Sequence, residues 1–270
     1  MFQPRVEKEI RRLRRRIYSG NVKKYINKIG IDELATPIYK LAVKSIEGDY
    51  REYEIEGNTA SFYNTEHIPH KPPERHVLKD IIKNINKSDV FYDLGANRGL
   101  YTCFVGNSIS EGTVYSFEPN YDARNDLRRN IELNNLSKVV NISGEAIGGS
   151  VGTKQFVIAD ETTNHRITDQ ESVEEANTVD VKTTTLQHLI EKEKKSCPTL
   201  IKMDIEGAEV SALRNVGDTL EQCRLLYCEV HSSAKGETVL SELRSLGFDN
   251  IEEIHTRSDN NYMLKAGKRG

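Results

Sequence analysis

The spacing of apolar residues predicts a helical leader followed by β structure. In residues 5–29 apolar side chains recur at intervals of three and four, which places them on one face of a helix. These apolar side chains are Val6, Ile10, Leu13 and Ile17. Residues 33–47 show the same pattern over a shorter length, and residues 50–63 favour strands around a turn at Gly57-Asn58. The prolines of residues 67–73 cannot continue a helix, so this segment is expected to be a linker.

Beyond residue 70, short apolar runs alternate with longer amphipathic stretches. Strands are expected at 90–93, 113–118, 139–142, 200–204 and 225–230, with further strands at 154–158, 178–183, 249–254 and 261–265. Helices are expected at 74–86, 100–108, 121–134, 185–194, 207–216 and 236–246. This alternation is typical of an α/β fold, in which a largely parallel sheet has helices on both faces. We therefore divide the chain into residues 1–70, a basic helix with an accessory β segment, and residues 71–270, an α/β domain.

Composition is that of a globular protein with no predicted membrane span. Hydrophobic residues make up 37% and charged residues 29% of the chain, a balance that permits a core. No apolar stretch approaches the ~20 residues that cross a bilayer, and no apolar run follows the basic N-terminus as in a secretory signal. The four cysteines lack the paired spacing of zinc sites. We expect them to be reduced thiols in a cytoplasmic protein.

Charge is distributed unevenly along the chain. Residues 1–28 contain ten basic and two acidic side chains, a net charge of +8, so the rest of the chain carries −11 of the total of −3. The basic helix has three interpretations, namely a solvated or partner-docking face, peripheral contact with an anionic membrane surface, and contact with nucleic acid. The acidic body would repel a duplex near an active site, so a nucleic-acid substrate is not expected.

Three features at consecutive strand ends indicate a nucleoside site. The sequence Asp93-Leu-Gly95-Ala-Asn97-Arg-Gly99 follows the first core strand and opens a helix, and its glycines permit a tight turn close to a ligand. Glu118 ends the next strand, where a carboxylate can accept hydrogen bonds from both ribose hydroxyls. Glu145-Ala146-Ile147 follows the third strand, and an adenine ring could lie against its apolar side chains. Ligands of open α/β sheets bind beyond the carboxyl ends of the strands, so all three features should face one crevice.

The glycine pattern distinguishes two classes of cofactor. A dinucleotide site uses GxGxxG, whereas this loop is DxGxNxG with asparagine at position 97. A carboxylate at Asp93 would repel a pyrophosphate and attract the ammonium group of an amino acid. S-adenosylmethionine carries such a group beside its sulfonium and fits this loop better. A nicotinamide-dependent oxidoreductase and a non-catalytic Rossmann-like binding protein are the alternatives.

Residues 90–265 resemble the FkbM family of class I S-adenosylmethionine-dependent methyltransferases. The matching segments are Asp93–Gly99, Ser116-Phe-Glu-Pro-Asn120, Asn130, Asn134-Asn135, Glu145-Ala-Ile-Gly148 and Lys202-Met-Asp-Ile-Glu-Gly-Ala-Glu209, the last being the most specific. The resemblance implies a Rossmann-like seven-stranded sheet with its last strand antiparallel, and O-methylation of sugars or secondary metabolites. The predicted cofactor-binding residues are Asp93, Gly95, Asn97, Gly99, Glu118, Pro119, Glu145 and Ala146.

The candidate catalytic residues stand at the ends of the fourth and fifth core strands. They are Asp204, Glu229 and His231. Methyl transfer from a sulfonium is an in-line displacement that also requires removal of the acceptor hydroxyl proton. In one role, His231 or Asp204 takes this proton without a metal. In the other, all three residues hold a divalent cation that lowers the pKa of a coordinated hydroxyl.

Three neighbouring charged residues have alternative roles. Glu206 and Glu209 fall where carboxylates stabilise a helix N-terminus, but Glu206 could also join Asp204, Glu229 and His231 near the reacting centre. Lys202, inside a strand, is expected either to pair with a nearby carboxylate or to extend its charge to solvent, because an unpaired buried charge is costly. No Asn/Asp-Pro-Pro-Tyr/Phe sequence follows the fourth core strand, which favours oxygen over nitrogen as the acceptor atom. The expected partner is therefore a hydroxyl-bearing small molecule or glycan.

Overall fold

The computed structural model describes residues 50–63, 74–157, 166–167, 178–231, 233–255 and 262–268. The helices in these ranges are α1 (Arg75–Asn84), α2 (Leu100–Ser108), α3 (Tyr121–Leu133), α4 (Leu186–Glu191), α5 (Glu209–Leu213) and α6 (Ser233–Ser245), with a 3-10 helix at Gly217–Leu220. The strands are β1 (Tyr50–Ile55), β2 (Asn58–Tyr63), β3 (Val90–Leu94), β4 (Thr113–Phe117), β5 (Val140–Ser143), β6 (Ala146–Ile147), β7 (Gly152–Val157), β8 (Arg166–Ile167), β9 (Thr178–Thr184), β10 (Leu200–Met203), β11 (Leu225–Val230), β12 (Asn250–His255) and β13 (Tyr262–Gly267).

Seven strands form the main sheet, in the order β12-β13-β11-β10-β3-β4-β5. Strands β11, β10, β3, β4 and β5 pair in parallel, while β13 is antiparallel to both of its neighbours. The predicted Rossmann-like sheet, mostly parallel with its last strand antiparallel, is confirmed. Because β3 lies between β10 and β4, Asp93 is opposite Lys202 on one side and Ser116 on the other.

Successive side chains of β3 point to opposite faces of the sheet. Tyr92 belongs to a large apolar cluster with residues of α4, α5 and α6, among them Leu189, Leu213 and Leu243. Asp93 instead contacts α2 on the other face. Burial of these apolar side chains on both faces explains the near-continuous hydrophobic runs of the central strands.

Within the described residues, each helix and strand predicted from the sequence has a counterpart in the structure, and two of the helices differ in length. The helix expected at 207–216 is shorter in the structure, because α5 starts two residues late and ends at Leu213, and the 3-10 helix begins only at Gly217. Glu206 and Gly207 explain the late start, since their φ values of 47° and 96° lie in the left-handed region, which an α-helix cannot include. The helix expected at 185–194 ends early as α4, and Lys194 has a φ of 60°.

Two smaller sheets accompany the main one. Strands β1 and β2 form a hairpin whose turn residues, Glu56 and Gly57, both have positive φ, the pattern of a two-residue turn. The turn therefore lies one residue before the predicted Gly57-Asn58. Strands β6, β9, β7 and β8 form a four-stranded sheet in that order, and the sequence predicted only two of these strands.

The chain divides into two compact units, one of residues 1–51 and 62–68 and the other of residues 52–61 and 69–270. The main sheet and the site described below belong to the second unit. The predicted helices at 5–29 and 33–47 and the linker at 67–73 lie outside the described residues, and the boundary near residue 70 stays a prediction. Within the described ranges, none of the helices combines the length and apolarity needed to cross a bilayer. The four cysteines are free thiols.

Candidate functional site

The turn after β3 lies very close to the end of β10. Gly95 and Gly99 have φ values of 79° and 86°, and Asn97 between them has a φ of 49°, a region that glycine enters without strain. A Cβ atom on Gly95 would stand 1.8 Å from the carbonyl oxygen of Asp204. The backbone amide of Gly95 donates to the carbonyl of Phe117 at 3.0 Å. The turn is therefore fixed against two neighbouring strands.

Glu118 is buried directly after β4, beside this turn. Its Oε2 accepts a hydrogen bond from the Asn97 amide at 2.7 Å, and its Oε1 accepts one from the Asn120 amide at 2.8 Å. Burial raises the pKa of Glu118, and the two amide bonds act in the opposite direction. Arg124 fixes the following backbone by donating to the carbonyls of Glu118 and Pro119. Each carboxylate oxygen keeps a lone pair, so the group can accept two further hydrogen bonds.

Asp93 has no exposed surface on β3. Its Oδ2 accepts a hydrogen bond from the Thr102 hydroxyl at 2.6 Å, and that hydroxyl also lies 2.8 Å from the Ser116 hydroxyl. Its Oδ1 has no hydrogen-bond partner among the described residues. Burial raises the pKa of Asp93, while the Lys202 ammonium opposes this shift. The side chain is thus connected to helix α2 through Thr102, and its contact with a ligand ammonium group stays a prediction.

The residues after β5 lie at the same edge of the sheet. Ser143 donates from its hydroxyl to Glu145 at 3.0 Å. Ala146 forms β6 with Ile147 and pairs with Thr183 of β9. Both apolar side chains of β6 are buried in core clusters. Little of their surface is left for an adenine ring, and this predicted contact also remains untested.

His231 lies at the centre of four carboxylates. Its Nε2 is 3.2 Å from Asp204, 3.4 Å from Glu206 and 3.9 Å from Glu229. Its Nδ1 donates to Glu209 at 3.0 Å, and Glu209 is itself buried and accepts the Gly207 amide. The structure thus brings the three predicted catalytic residues together and adds two carboxylates to them. We call these five side chains the His231 cluster.

Lys202 connects the His231 cluster to the turn after β3. Its ammonium is buried and donates to Asp204 Oδ2 at 3.0 Å and to the Gly95 carbonyl at 3.2 Å. It also lies 5.1 Å from the centroid of the Tyr101 ring, a cation–π distance. The Tyr101 hydroxyl in turn donates to Glu74 at 2.6 Å. The sequence-based expectation that Lys202 pairs with a carboxylate agrees with this geometry.

Mutual contacts shift the protonation of the His231 cluster. Burial would lower the pKa of His231, but hydrogen bonds to Asp204 and Glu209 outweigh it and raise the pKa to about 11. Burial would raise the pKa of Asp204, but the two adjacent cations hold it well below its usual range. Burial raises the pKa of Glu206 to about 7 and, with repulsion from Asp204, that of Glu229 to about 8. At neutral pH the imidazole of His231 is therefore protonated, and at least one carboxyl group of the cluster is near the midpoint of its titration.

The same side chains also have the geometry of a metal-ligand set. One ligand atom each from Asp204, Glu206 and His231 lie within 4.8 Å of one another. The sequence predicted Asp204, Glu229 and His231 as the metal ligands, so the set in the structure contains Glu206 in place of Glu229. A carboxylate on the second imidazole nitrogen, as Glu209 provides, is a common accompaniment of metal-binding histidines. The donor types suit a divalent cation, although protonated His231 offers no lone pair to one.

For Glu206 the sequence left two roles open, a place near the reacting centre and helix capping, and it did not predict the contact of Glu209 with His231. Glu206 stands before α5 in a left-handed turn, so its carboxylate reaches back over the end of β10. The signal in the sequence was the Glu-Gly pair two residues after a strand-ending aspartate. Glycine at position 207, where φ is 96°, allows the chain to reverse there.

The fold and the strand-end residues together define a class of protein. A seven-stranded sheet of this topology, with a glycine turn after β3 and a carboxylate after β4, is the arrangement of Rossmann-like methyltransferase domains. The sequence profile described as "Methyltransferase FkbM domain" matches residues 93–249, more than half of the chain. The chain belongs to this family, as its motifs predicted.

Relatives of known name or structure agree with this assignment. The hexuronic acid methyltransferase AglP of Haloferax volcanii is 23% identical over 167 residues, which cover 62% of this chain and 66% of AglP, just under two thirds of its length. The crystal structure of methyltransferase FkbM from Methylobacillus flagellatus matches with a TM-score of 0.52 and 18% identity, over 70% of this chain and 46% of that one. Precorrin 8w decarboxylase from Methanobacterium thermoautotrophicum matches with a TM-score of 0.50 and 17% identity, over 77% and 97% of the two chains. At these identities the solved structures support the fold alone.

Membership of a methyltransferase family implies S-adenosylmethionine as the methyl donor, and the described residues fit it. Gly95 and Gly99 have positive φ, which lets the backbone turn tightly at the end of β3. Glu118 is oriented by two backbone amides and has free acceptor capacity for a ribose. The Oδ1 of Asp93, which has no hydrogen-bond partner among the residues that the structure describes, is an acceptor suited to an ammonium group. These groups lie on adjacent strands β3 and β4, as a nucleoside site requires.

Proposed function

We propose that this chain is an S-adenosylmethionine-dependent O-methyltransferase that acts on a hydroxyl of a sugar, glycan or small metabolite. The observation that carries the proposal is the position of Lys202, which donates to Gly95 in the nucleoside turn and to Asp204 in the His231 cluster. One side chain thus contacts both the turn of the proposed cofactor site and a cluster that can accept and donate a proton. The name of AglP, a hexuronic acid methyltransferase, supports a sugar as acceptor.

The residues around the turn would hold the cofactor. Glu118 would accept hydrogen bonds from the ribose, and Gly95 and Gly99 would allow the backbone to approach the amino acid part. When bound, S-adenosylmethionine supplies an electrophilic methyl group. The turn cannot shift freely, because Gly95 is hydrogen-bonded to β4 and to Lys202. A fixed turn favours one orientation of the donor towards the acceptor, which in-line displacement requires.

The acceptor hydroxyl must lose its proton, and Glu206 is the best-suited group to take it. His231 or Asp204 was the expected base, but the raised pKa of His231 keeps it protonated and the lowered pKa of Asp204 makes it a weak base. The pKa of Glu206, about 7, lies near the value at which a general base is most effective at neutral pH. His231 holds this carboxylate at 3.4 Å and is itself oriented by Glu209. His231 and Asp204 are therefore proposed to position Glu206.

Isothermal titration with S-adenosylmethionine tests the cofactor site. Glu118→Ala is expected to weaken binding by about 1.5–3 kcal/mol, or roughly 10- to 150-fold, because hydrogen bonds to a charged acceptor are lost. Glu132→Ala, an exposed carboxylate on α3, is the matched control and should bind as the wild type does. Unchanged affinity in Glu118→Ala would remove Glu118 from the ribose role. Saturable binding of NADH in place of S-adenosylmethionine would overturn the whole proposal.

Removal of divalent cations is expected to leave turnover unchanged. The Lys202 ammonium and the protonated His231 already balance part of the carboxylate charge. A cation held by Asp204, Glu206 and His231 would have to displace the proton on Nε2. The measurement is the initial rate before and after dialysis against EDTA. A rate that falls with EDTA and returns with Mg²⁺ or Mn²⁺ would assign deprotonation of the acceptor to a bound metal.

A further inference from the structure

Helix α3 packs one of its faces against the nucleoside turn after β3. Leu127 is buried on this face, and a Cβ on Gly99 would lie 2.5 Å from its Cδ1. One residue earlier, the Asp126 carboxylate pairs with Arg98 Nε at 3.0 Å. Asn130 is buried three residues after Leu127. Residues three and four apart on a helix are neighbours, so α3 presents one continuous surface to the turn.

Asn130 is a polar residue at a position where packing alone would favour an apolar one. It is 1% exposed and lies among the buried residues of α3, beside Leu127 and Ile131. Asparagine forms a helix interior less readily than leucine does, and a buried amide is costly unless its hydrogen bonds are made. A specific hydrogen bond is therefore the reason to look for at this position.

The side-chain amide of Asn130 holds the backbone of the nucleoside turn. Its Nδ2 donates to the Arg98 carbonyl at 2.9 Å. Nearby in the same turn, the Asn97 amide donates to Glu118 Oε2 at 2.7 Å. Only the peptide group between residues 97 and 98 separates the Arg98 carbonyl from the Asn97 amide along the chain. A restraint on the carbonyl therefore limits rotation of the amide that orients Glu118.

One helical turn further along, α3 is fixed to strand β2 of the hairpin. Asn134 Oδ1 accepts a hydrogen bond from the Ser61 amide at 2.8 Å, and Asn134 Nδ2 donates to the Ser61 carbonyl at 2.7 Å. The same Nδ2 donates to the Asn130 carbonyl at 2.7 Å. The backbone that carries Asn130 is thus held from a second side. Its side chain can therefore restrain the turn instead of following it.

We propose that Asn130 is a positioning residue of the cofactor site, which holds the Arg98 carbonyl so that the Asn97 amide points at Glu118. The inference rests on the S-adenosylmethionine site of the proposed function and adds to it a residue that does not touch the ligand. Without the Asn130 bond, Glu118 would lose the fixed position of one of its two amide donors. Ligand binding would then have to order the turn, and this ordering lowers affinity.

Calorimetric titration with S-adenosylhomocysteine tests the positioning role. In Asn130→Leu the side chain keeps its number of heavy atoms and its branch point but lacks the N–H donor, so the affinity should fall roughly 10-fold. Asn130→Ala, which removes the donor without adding bulk, should show the same loss. The matched control is Asn215→Leu, because Asn215 is exposed and its amide donates to the Ser211 carbonyl at 2.8 Å, outside the nucleoside turn. The control should bind as the wild type does.

A double-mutant cycle with Glu118→Ala tests the route through which Asn130 acts. If Asn130 acts by orienting Glu118, its loss has no further effect once the carboxylate is gone. Asn130→Leu combined with Glu118→Ala should then bind no more than about 2-fold more weakly than Glu118→Ala alone. A purely structural contribution of Asn130 would instead multiply the two losses.

Three outcomes would overturn the positioning role. They are wild-type affinity in both Asn130 variants, losses that multiply in the double variant, and absence of a cooperative unfolding transition in both Asn130 variants, which would make the residue structural only. Denaturant unfolding is measured on the same samples. If the wild type binds and Glu118→Ala weakens binding while the Asn130 variants do not, the positioning role fails and the proposed function stands. If the wild type does not bind S-adenosylhomocysteine, the proposed function itself fails.

Discussion

Replacing Glu206 with glutamine is expected to lower kcat by about 10²–10⁴-fold, the usual contribution of general base catalysis. Glutamine retains the size of the side chain and its ability to form hydrogen bonds, but it cannot take up the proton of the acceptor hydroxyl. The affinity for S-adenosylhomocysteine should not change, because Glu206 lies outside the nucleoside turn. Steady-state kinetics and calorimetry on the same preparation separate the two effects.

The pH dependence of kcat identifies the ionising group. Burial raises the pKa of Glu206 to about 7, and only the deprotonated form accepts a proton. The wild-type kcat should therefore increase as the pH rises through about 7, and Glu206→Gln should lose this step. Glu221→Gln, an exposed carboxylate, serves as the control. If Glu206→Gln keeps the wild-type rate and profile while His231→Gln is inactive, then His231 is the base and Glu206 is not.

Replacing Lys202 with methionine is expected to reduce the free energy of unfolding by about 3–5 kcal/mol, the usual cost of removing one partner of a buried ion pair, because the buried ammonium pairs with the half-buried Asp204 carboxylate. The ammonium has two acceptors, Asp204 and the Gly95 carbonyl. Asp93, next to it in the sheet, would also lose the positive charge that opposes the rise in its pKa. Both the nucleoside turn and the His231 cluster should then be perturbed. Denaturant unfolding with and without S-adenosylhomocysteine measures the loss.

Two further variants test whether the loss of stability in Lys202→Met comes from the broken ion pair. Lys138→Met removes an exposed lysine and should unfold as the wild type does. Lys202→Met combined with Asp204→Asn removes both charges and should recover part of the lost stability, since an amide has a lower desolvation cost than an unpaired carboxylate. A single Lys202→Met variant as stable as the wild type, with unchanged cofactor affinity, would contradict a bridging role.

The sheet and the cofactor edge were predictable because their determinants are local in sequence. The apolar run before Asp93 identifies a buried parallel strand, and the glycines after it identify a turn. Glu118 follows the next apolar run by the same logic. Adjacent parallel strands align their carboxyl ends, so the proximity of these two carboxylates followed from the order of strands. The expectation of seven strands with the last one antiparallel came from the family resemblance and not from periodicity.

The His231 cluster was only partly predictable, because side-chain direction depends on backbone angles that the sequence pattern does not report. Glu206 occupies a left-handed conformation that non-glycine residues adopt infrequently, and this turns its carboxylate towards His231. Ala146 is buried and pairs with Thr183 of β9, while its contact with an adenine ring stays a prediction. That pairing joins residues far apart in the chain. The sequence therefore predicted that Asp204, Glu229 and His231 would meet, but not that Glu209 would contact His231.

The close approach of Gly95 to β10 limits which substitutions can accumulate at this position during evolution. The atom that a side chain at position 95 would strike is a main-chain oxygen, that of Asp204. Shortening a neighbouring side chain could not relieve such a collision, so no single compensating substitution is open to the chain. Change of donor specificity by mutation would have to proceed at other positions, and glycine at position 95 should persist for as long as the two strands keep their spacing.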